Sequence, residues 1–158
     1  MRYFLPILVV VFMFSCDTEP AYFKGKKNIP ESGWSYGQSL DYSFEIKDTS
    51  QYYAIILDMD HSTEYPYQNI YFNITTTYPN GEEKNQVLSA DLANKAGVWY
   101  GECSGQSCKV KIDLQPKALF QESGKYNINI AQHSRDTFLT GVKQMGLLIQ
   151  ELKQNSIN

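Results

Sequence analysis

The sequence has little of what enzymes usually need. Only two of its 158 residues are histidine, His61 and His133. Neither sits beside a serine or cysteine in a recognisable nucleophile setting. Ser104-Gly105 is not a nucleophile elbow, and no glycine-rich loop of the phosphate-cradling kind occurs. Cysteine is scarce, at three residues, and no histidine or third thiol stands near Cys103 and Cys108 to complete a zinc site. A basic excess is missing too. The chain carries 14 Lys+Arg against 17 Asp+Glu, for a net charge of −3. These charges are scattered, so neither nucleic acid nor an anionic lipid surface has an electrostatic footprint to bind. Catalysis, a cofactor and a resident metal are therefore not expected.

One acidic cluster needs weighing. Asp58, Asp60, His61 and Glu64 fall within seven residues. Alternation puts Asp58 and Asp60 on one strand face, and such oxygens suit calcium. No glycine supplies the sharp turn of a calcium loop, and a solvated strand end explains the charges as well.

What is present begins at the N-terminus. Arg2 precedes an apolar stretch from Phe4 to Phe14. A positive head and an apolar run of about a dozen residues make a secretory signal. A membrane-crossing helix would need roughly 20. The run stops at Met13-Phe14-Ser15-Cys16-Asp17, which looks like a lipobox. The thiol of Cys16 is the nucleophile that takes up diacylglycerol, and small Ser15 lets the peptidase close on the scissile bond. Residues 1–15 are then a removed signal peptide, and Cys16 is the lipidated first residue of a chain in the cell envelope, outside the cytoplasm. Two or three acyl chains, at ~0.8 kcal/mol per buried methylene, make a stable membrane anchor. Residues 16–33, with Pro20, Gly25, Pro30 and Gly33, read as a flexible tether, part of which docks through Tyr22 and Phe23.

Residues 34–158 read as one all-β domain. Tyr42, Phe44 and Ile46 alternate on one face, and so do Ile70, Phe72 and Ile74, and Tyr126, Ile128 and Ile130. Tyr52–Met59 is a continuous apolar run suited to a strand buried on both faces. Pro79-Asn80-Gly81 is a turn. Residues 85–96 suit a short helix or an irregular strand. Val98–Cys103 and Cys108–Leu114 read as strands, and Val142–Leu152 as a final one. About eight short strands separated by turns predict an antiparallel β-sandwich of jelly-roll type. Cys103 and Cys108 bracket a four-residue, glycine-containing loop between two strand-like segments. Cross-strand neighbours at a hairpin base lie near the separation of a disulfide, and an exported domain meets oxidant, so a bridge is expected.

Several segments together resemble the GldH family of gliding-motility lipoproteins of the Bacteroidetes. They are Trp34…Phe44-x-Ile46-x-Asp48, Tyr65-Pro66-Tyr67-Gln68-Asn69-Ile70, Gly97-Val98-Trp99-Tyr100-Gly101, Gly124-Lys125-Tyr126, Gln132-His133-Ser134-Arg135, and Leu139-Thr140-Gly141-Val142 with Gly146-Leu147. Asp60-His61 departs from a basic-Asn pair usual there, and His133-Ser134 from the family's Gln-x-Met-Arg. The resemblance implies a non-catalytic accessory of gliding and its associated protein-secretion machinery, with other envelope proteins as partners. Tyr65, Tyr67, Trp99 and Arg135 are the candidate interaction residues, Arg135 as a polar anchor. Trp99 and Tyr126 are most simply core aromatics. The alternative is a surface-glycan-binding sandwich, for which an exposed coplanar row of aromatics on one sheet would speak.

Overall fold

The computed structural model describes residues 21–153. The signal segment, Cys16 and residues 17–20 lie outside the described residues. Eleven strands follow in chain order: β1 (Ala21–Asn28), β2 (Trp34–Ser35), β3 (Ser39–Ile46), β4 (Tyr52–Ser62), β5 (Asn69–Thr77), β6 (Glu83–Asp91), β7 (Glu102–Ser104), β8 (Ser107–Leu119), β9 (Gly124–Gln132), β10 (Phe138–Leu139) and β11 (Val142–Leu152). They form a five-stranded sheet ordered β1-β11-β4-β8-β7, a four-stranded sheet ordered β3-β9-β5-β6, and a small β10-β2 pair. All pairings are antiparallel. The two larger sheets enclose one core, so the expected sandwich is present. It has eleven strands and not eight, because three of them, β2, β7 and β10, are two or three residues long and leave no alternation to read.

The alternating strands work as the period of two requires. In β3, Leu40, Tyr42, Phe44 and Ile46 are buried and the residues between them are exposed. Facing them across the core are Tyr53, Leu57 and Met59 of β4 and Met145, Leu147 and Ile149 of β11. The Tyr42 hydroxyl crosses the core and donates to the Met145 carbonyl at 2.7 Å, tying the sheets together. Phe44, Phe120 and Tyr126 form an aromatic knot, with Phe44 and Tyr126 stacked at 5.8 Å.

Three expectations are corrected. Ala21–Asn28, assigned to the tether, is an edge strand paired with β11 from Ala21↔Gln150 to Asn28↔Gln144. Its lysines hid the pattern, because an edge strand buries little; Phe23 packs on Phe44, and Tyr22 reaches over to Tyr53. The Tyr22 hydroxyl donates to the Glu45 carbonyl at 2.8 Å and accepts from the Lys47 amide, lacing β1 to the edge of the other sheet. Residues 85–96 are neither helix nor irregular strand in their first part. β6 runs in regular register with β5, and it is legible only poorly because Glu83–Val87 is exposed on both faces. The Val98–Cys103 strand shrinks to a single bridge, Ala93↔Trp99, followed by β7. Gly101 interrupts it with φ of 82°, and a Cβ there would run into the Lys109 backbone carbonyl.

Chain direction gives the sandwich two distinct ends. β1 and β4 start at one end, where Ala21, Tyr52 and Leu152 lie close in register. β4 finishes at the other, about 35 Å away for eleven extended residues. The loops after β4 and β9 meet at that far end.

Candidate interaction groove

The far end is built on a buried aromatic base. His61, the penultimate residue of β4, points inward and is fully buried. Its ring lies 4.8 Å from Trp99, edge to face, and 5.8 Å from Tyr65. Its Nδ1 is 2.9 Å from the Ser62 carbonyl, which can only accept, so Nδ1 carries the proton. Nε2 then holds a lone pair with no hydrogen-bond partner. Desolvation lowers the pKa of His61 from 6.5; the Ser62 carbonyl and Asp60 oppose this, and Lys143 adds to it.

Tyr65 sits on that base, 4% exposed, with its hydroxyl 3.3 Å from the Asn69 carbonyl. Burial pushes its phenol above the ordinary tyrosine range. The chain bends at Pro66, and Tyr67 turns outward, its ring edge-on to Tyr65 at 5.9 Å. The Tyr67 hydroxyl donates to Asp136 Oδ2 at 2.8 Å. That bond stabilises the protonated phenol and raises its pKa.

Asp136 belongs to the loop after β9, and Gln132 fixes that loop. Gln132 is 2% exposed. Its Oε1 accepts from the Ser134 amide at 2.8 Å and from the Ser134 hydroxyl at 2.6 Å. Its Nε2 donates to the Asp136 carbonyl at 3.0 Å and reaches the Trp34 carbonyl at 3.5 Å. The side-chain amide thus uses both of its ends. The Asp136 amide closes the turn on Ser134 Oγ at 3.2 Å.

Between these loops and the start of β5 lies a groove of about 670 Å³, lined by Tyr65, Tyr67, Asn69, Ile70, Tyr71, His133, Ser134 and Arg135. Of the four residues singled out in the sequence, Tyr65, Tyr67 and Arg135 line it. Trp99 does not; it stands one ring behind, packed on His61 and Tyr65. Sequence reasoning missed Tyr71, Gln132 and Asp136. Tyr71 alternates outward in β5 and was foreseeable; the roles of Gln132 and Asp136 depend on a loop conformation.

The other sequence features fall elsewhere. Asp58 and Asp60 lie on the outer face of β4, opposite in direction to His61. Asp58 pairs with Lys26 at 2.9 Å, and Asp60 accepts from Ser107 Oγ at 2.8 Å. Gly146 lies between Lys26 and Asp58 in register, and its missing side chain leaves room for their ion pair. No group of three or more potential ligand residues forms among the described residues. Cys103 of β7 and Cys108 of β8 are directly opposite, 4.0 Å apart at Cα and joined by a disulfide. A second cavity of about 280 Å³ opens in the seam between β6 and β8, floored by Ile74, Phe120 and Tyr126. No helix among the described residues is long and apolar enough to cross a membrane.

A family model described as GldH lipoprotein matches residues 21–149. The chain is 23% identical over 155 residues to a gliding motility lipoprotein GldH homolog of Christiangramia forsetii, covering 94% of each. It is 22% identical over 152 residues to gliding motility lipoprotein GldH of Flavobacterium johnsoniae, covering 92% of this chain and 93% of that one. Among solved structures it is similar to part of a 4-O-methyl-alpha-glucuronidase, at 11% identity and a TM-score of 0.44, spanning 92% of this chain and 19% of that one. A likeness of that size carries no argument about function.

Proposed function

The chain belongs to the GldH lipoprotein family, and on that footing we propose that it is a lipid-anchored, non-catalytic accessory of the gliding-motility and associated secretion machinery, whose task is to hold a protein-binding groove beside that machinery. The observation that carries this reading is the polarity of the fold. The chain enters β1 at one end of the sandwich, and the Tyr65–Tyr67–Arg135 groove opens at the other. A lipid on Cys16 would therefore leave the groove facing away from the membrane. Four residues, 17–20, separate that cysteine from β1, a span of at most ~17 Å from Cys16 to Ala21. A 17-residue tether would have reached ~55–60 Å, so the domain stands close to its bilayer.

Relatives named for gliding motility support the motility setting. The half-exposed tyrosines and the guanidinium that line the groove support the binding reading. The glycan reading has less behind it. Leu40, Tyr42, Phe44, Tyr53, Phe72 and Tyr126 all face the core. On the outer face of the four-stranded sheet Tyr71 stands among Asn73, Thr75, Asn127 and Asn129, not in a row of aromatics.

The test is a clean deletion in the source organism, complemented by wild-type chain or by Cys16→Ser. Loss of spreading or of secreted cargo, restored only by the lipidated form, is the expected result. Normal spreading and secretion without the gene would end the proposal.

A further inference from the structure

The groove contains a charge that no acid among the described residues answers. The ion pair Lys26–Asp58 lies on the outer face of the other sheet, away from the groove. Arg135 lines the groove with no carboxylate bound to it. The adjacent acid, Asp136, is committed to the Tyr67 hydroxyl. A guanidinium presents its donors in a planar fork that matches a carboxylate at two points.

The setting of Arg135 is held in place beforehand. Buried Gln132 ties the loop at Ser134 and Asp136, the residues on either side of Arg135. Presenting a binding group on a fixed loop removes the ordering cost that a free loop would pay on association. Beside it stand Tyr67 and Tyr71, each 43% exposed. Tyrosines of this kind offer large, amphipathic area at low conformational cost. The volume, about 670 Å³, lies in the range of small-ligand sites and is far more than a lone ion needs. The whole chain carries a net charge of −3, so any attraction for an acid is local to this groove.

We propose that the groove receives a short extended segment of a partner protein, with a side-chain or terminal carboxylate on the Arg135 guanidinium and an adjacent apolar side chain over Tyr67 and Tyr71. This rests on the protein-binding reading above and adds the chemistry of the partner. A uronate-bearing glycan carries the same carboxylate without an apolar side chain to cover Tyr67 and Tyr71, and the trigalacturonate probe tests for it.

The experiment uses the lipidated chain in nanodiscs, labelled with 3-fluorotyrosine and followed by fluorine NMR. The probes are acetyl-Phe-Asp-Phe-amide, its Asn counterpart, and trigalacturonate. The aspartyl peptide should shift the Tyr67 and Tyr71 signals at millimolar concentration. The Asn peptide, and the Arg135→Gln variant with the aspartyl peptide, should bind roughly tenfold more weakly, as loss of a charge-assisted pair implies. Arg135→Lys should retain part of the binding. Buried Tyr65 and Tyr126 report in the same spectra that each variant is folded. No shift with the aspartyl peptide, equal binding of the Asn peptide, or binding of the uronate alone would each overturn the proposal. These outcomes leave the deletion phenotype untouched, so this assignment can fail while the accessory role stands.

Discussion

Replacing His61 by phenylalanine should make the protein indifferent to mild acid. In the native protein the buried His61 ring is neutral, protonated at Nδ1 and unpartnered at Nε2. A buried acceptor left without a donor costs about 1–3 kcal/mol. His61→Phe removes that acceptor and keeps a ring against Trp99 and Tyr65. It loses one hydrogen bond, worth about 1 kcal/mol, but the Ser62 carbonyl still accepts from the Tyr65 amide at 3.0 Å. The larger ring adds packing strain of roughly 1 kcal/mol or more. At pH 7.5 these effects nearly cancel, and the variant should lie within about 1 kcal/mol of wild type. The pH dependence does not cancel. The folded pKa of His61 lies below 6.5, chiefly through desolvation, so just below pH 6.5 the unfolded chain takes up a proton that the native state refuses. Stability is complete above pH 6.5, falls as the pH drops below it, and levels off once the folded value is passed. One site can contribute at most about 1.4 kcal/mol per pH unit, or roughly 3–5 °C in Tm for a domain of this size. Asp41 and Asp48, held down by hydrogen bonds from Asn129 and Ser50, act below 3.8 and leave this window clear. Urea unfolding followed by tryptophan fluorescence at pH 7.5 and 5.5 measures the difference. An equal acid loss in wild type and His61→Phe, or none in wild type, would refute the reasoning.

Three further outcomes follow from the same geometry. Unfolded, unreduced protein should titrate no thiol from Cys103 or Cys108, and reducing the bridge should cost about 2 kcal/mol, as expected for so short a loop; two titratable thiols would show that the bridge is not formed. Gln132→Ala should lower stability by about 2–3 kcal/mol, since it leaves the loop around Arg135 without its buried partner, and should abolish the aspartyl-peptide shifts; retention of both would mean that the loop holds itself. Gly101→Ala should cost more than about 2 kcal/mol, because the left-handed backbone and the Lys109 carbonyl both oppose a Cβ; a melting temperature within a degree or two of wild type would contradict the register of β7 and β8.

Much of the fold was legible because burial in β3, β5 and β9 is one-sided. Tyr42, Phe44 and Ile46, or Tyr126, Ile128 and Ile130, announce a core face through alternation alone. The misses share a cause. β1 and β6 are sheet edges, and an edge strand can expose both faces, so Lys24, Lys26 and Lys27 or Glu83, Lys84 and Asn85 read as loop. β2, β7 and β10 are shorter than any period. The groove was half legible. Tyr65, Tyr67 and Arg135 were marked by the resemblance. Trp99 was marked as well but serves the base behind the groove. Gln132 stands in the same resembling segment as Arg135, but its role was not legible, since it lies in satisfying backbone groups of a loop that only the folded chain defines.

The placement of β1 also decides how the domain would bear a load. A pull between a membrane anchor at Cys16 and a partner held at the groove runs along the strand axes. It draws Ala21 lengthwise past β11, perpendicular to the hydrogen bonds that link the pairs from Phe23↔Ile149 to Asn28↔Gln144. The pairs are therefore stressed together in shear and do not open one after another. Tyr22, hooked onto the backbone at Glu45 and Lys47, takes up strain at the point where the force enters. A chain attached through its C-terminal end would load β11 instead, in the middle of the sheet. Attached through β1, the domain meets tension with an outer strand whose release would leave the remaining strands of the sheet in register.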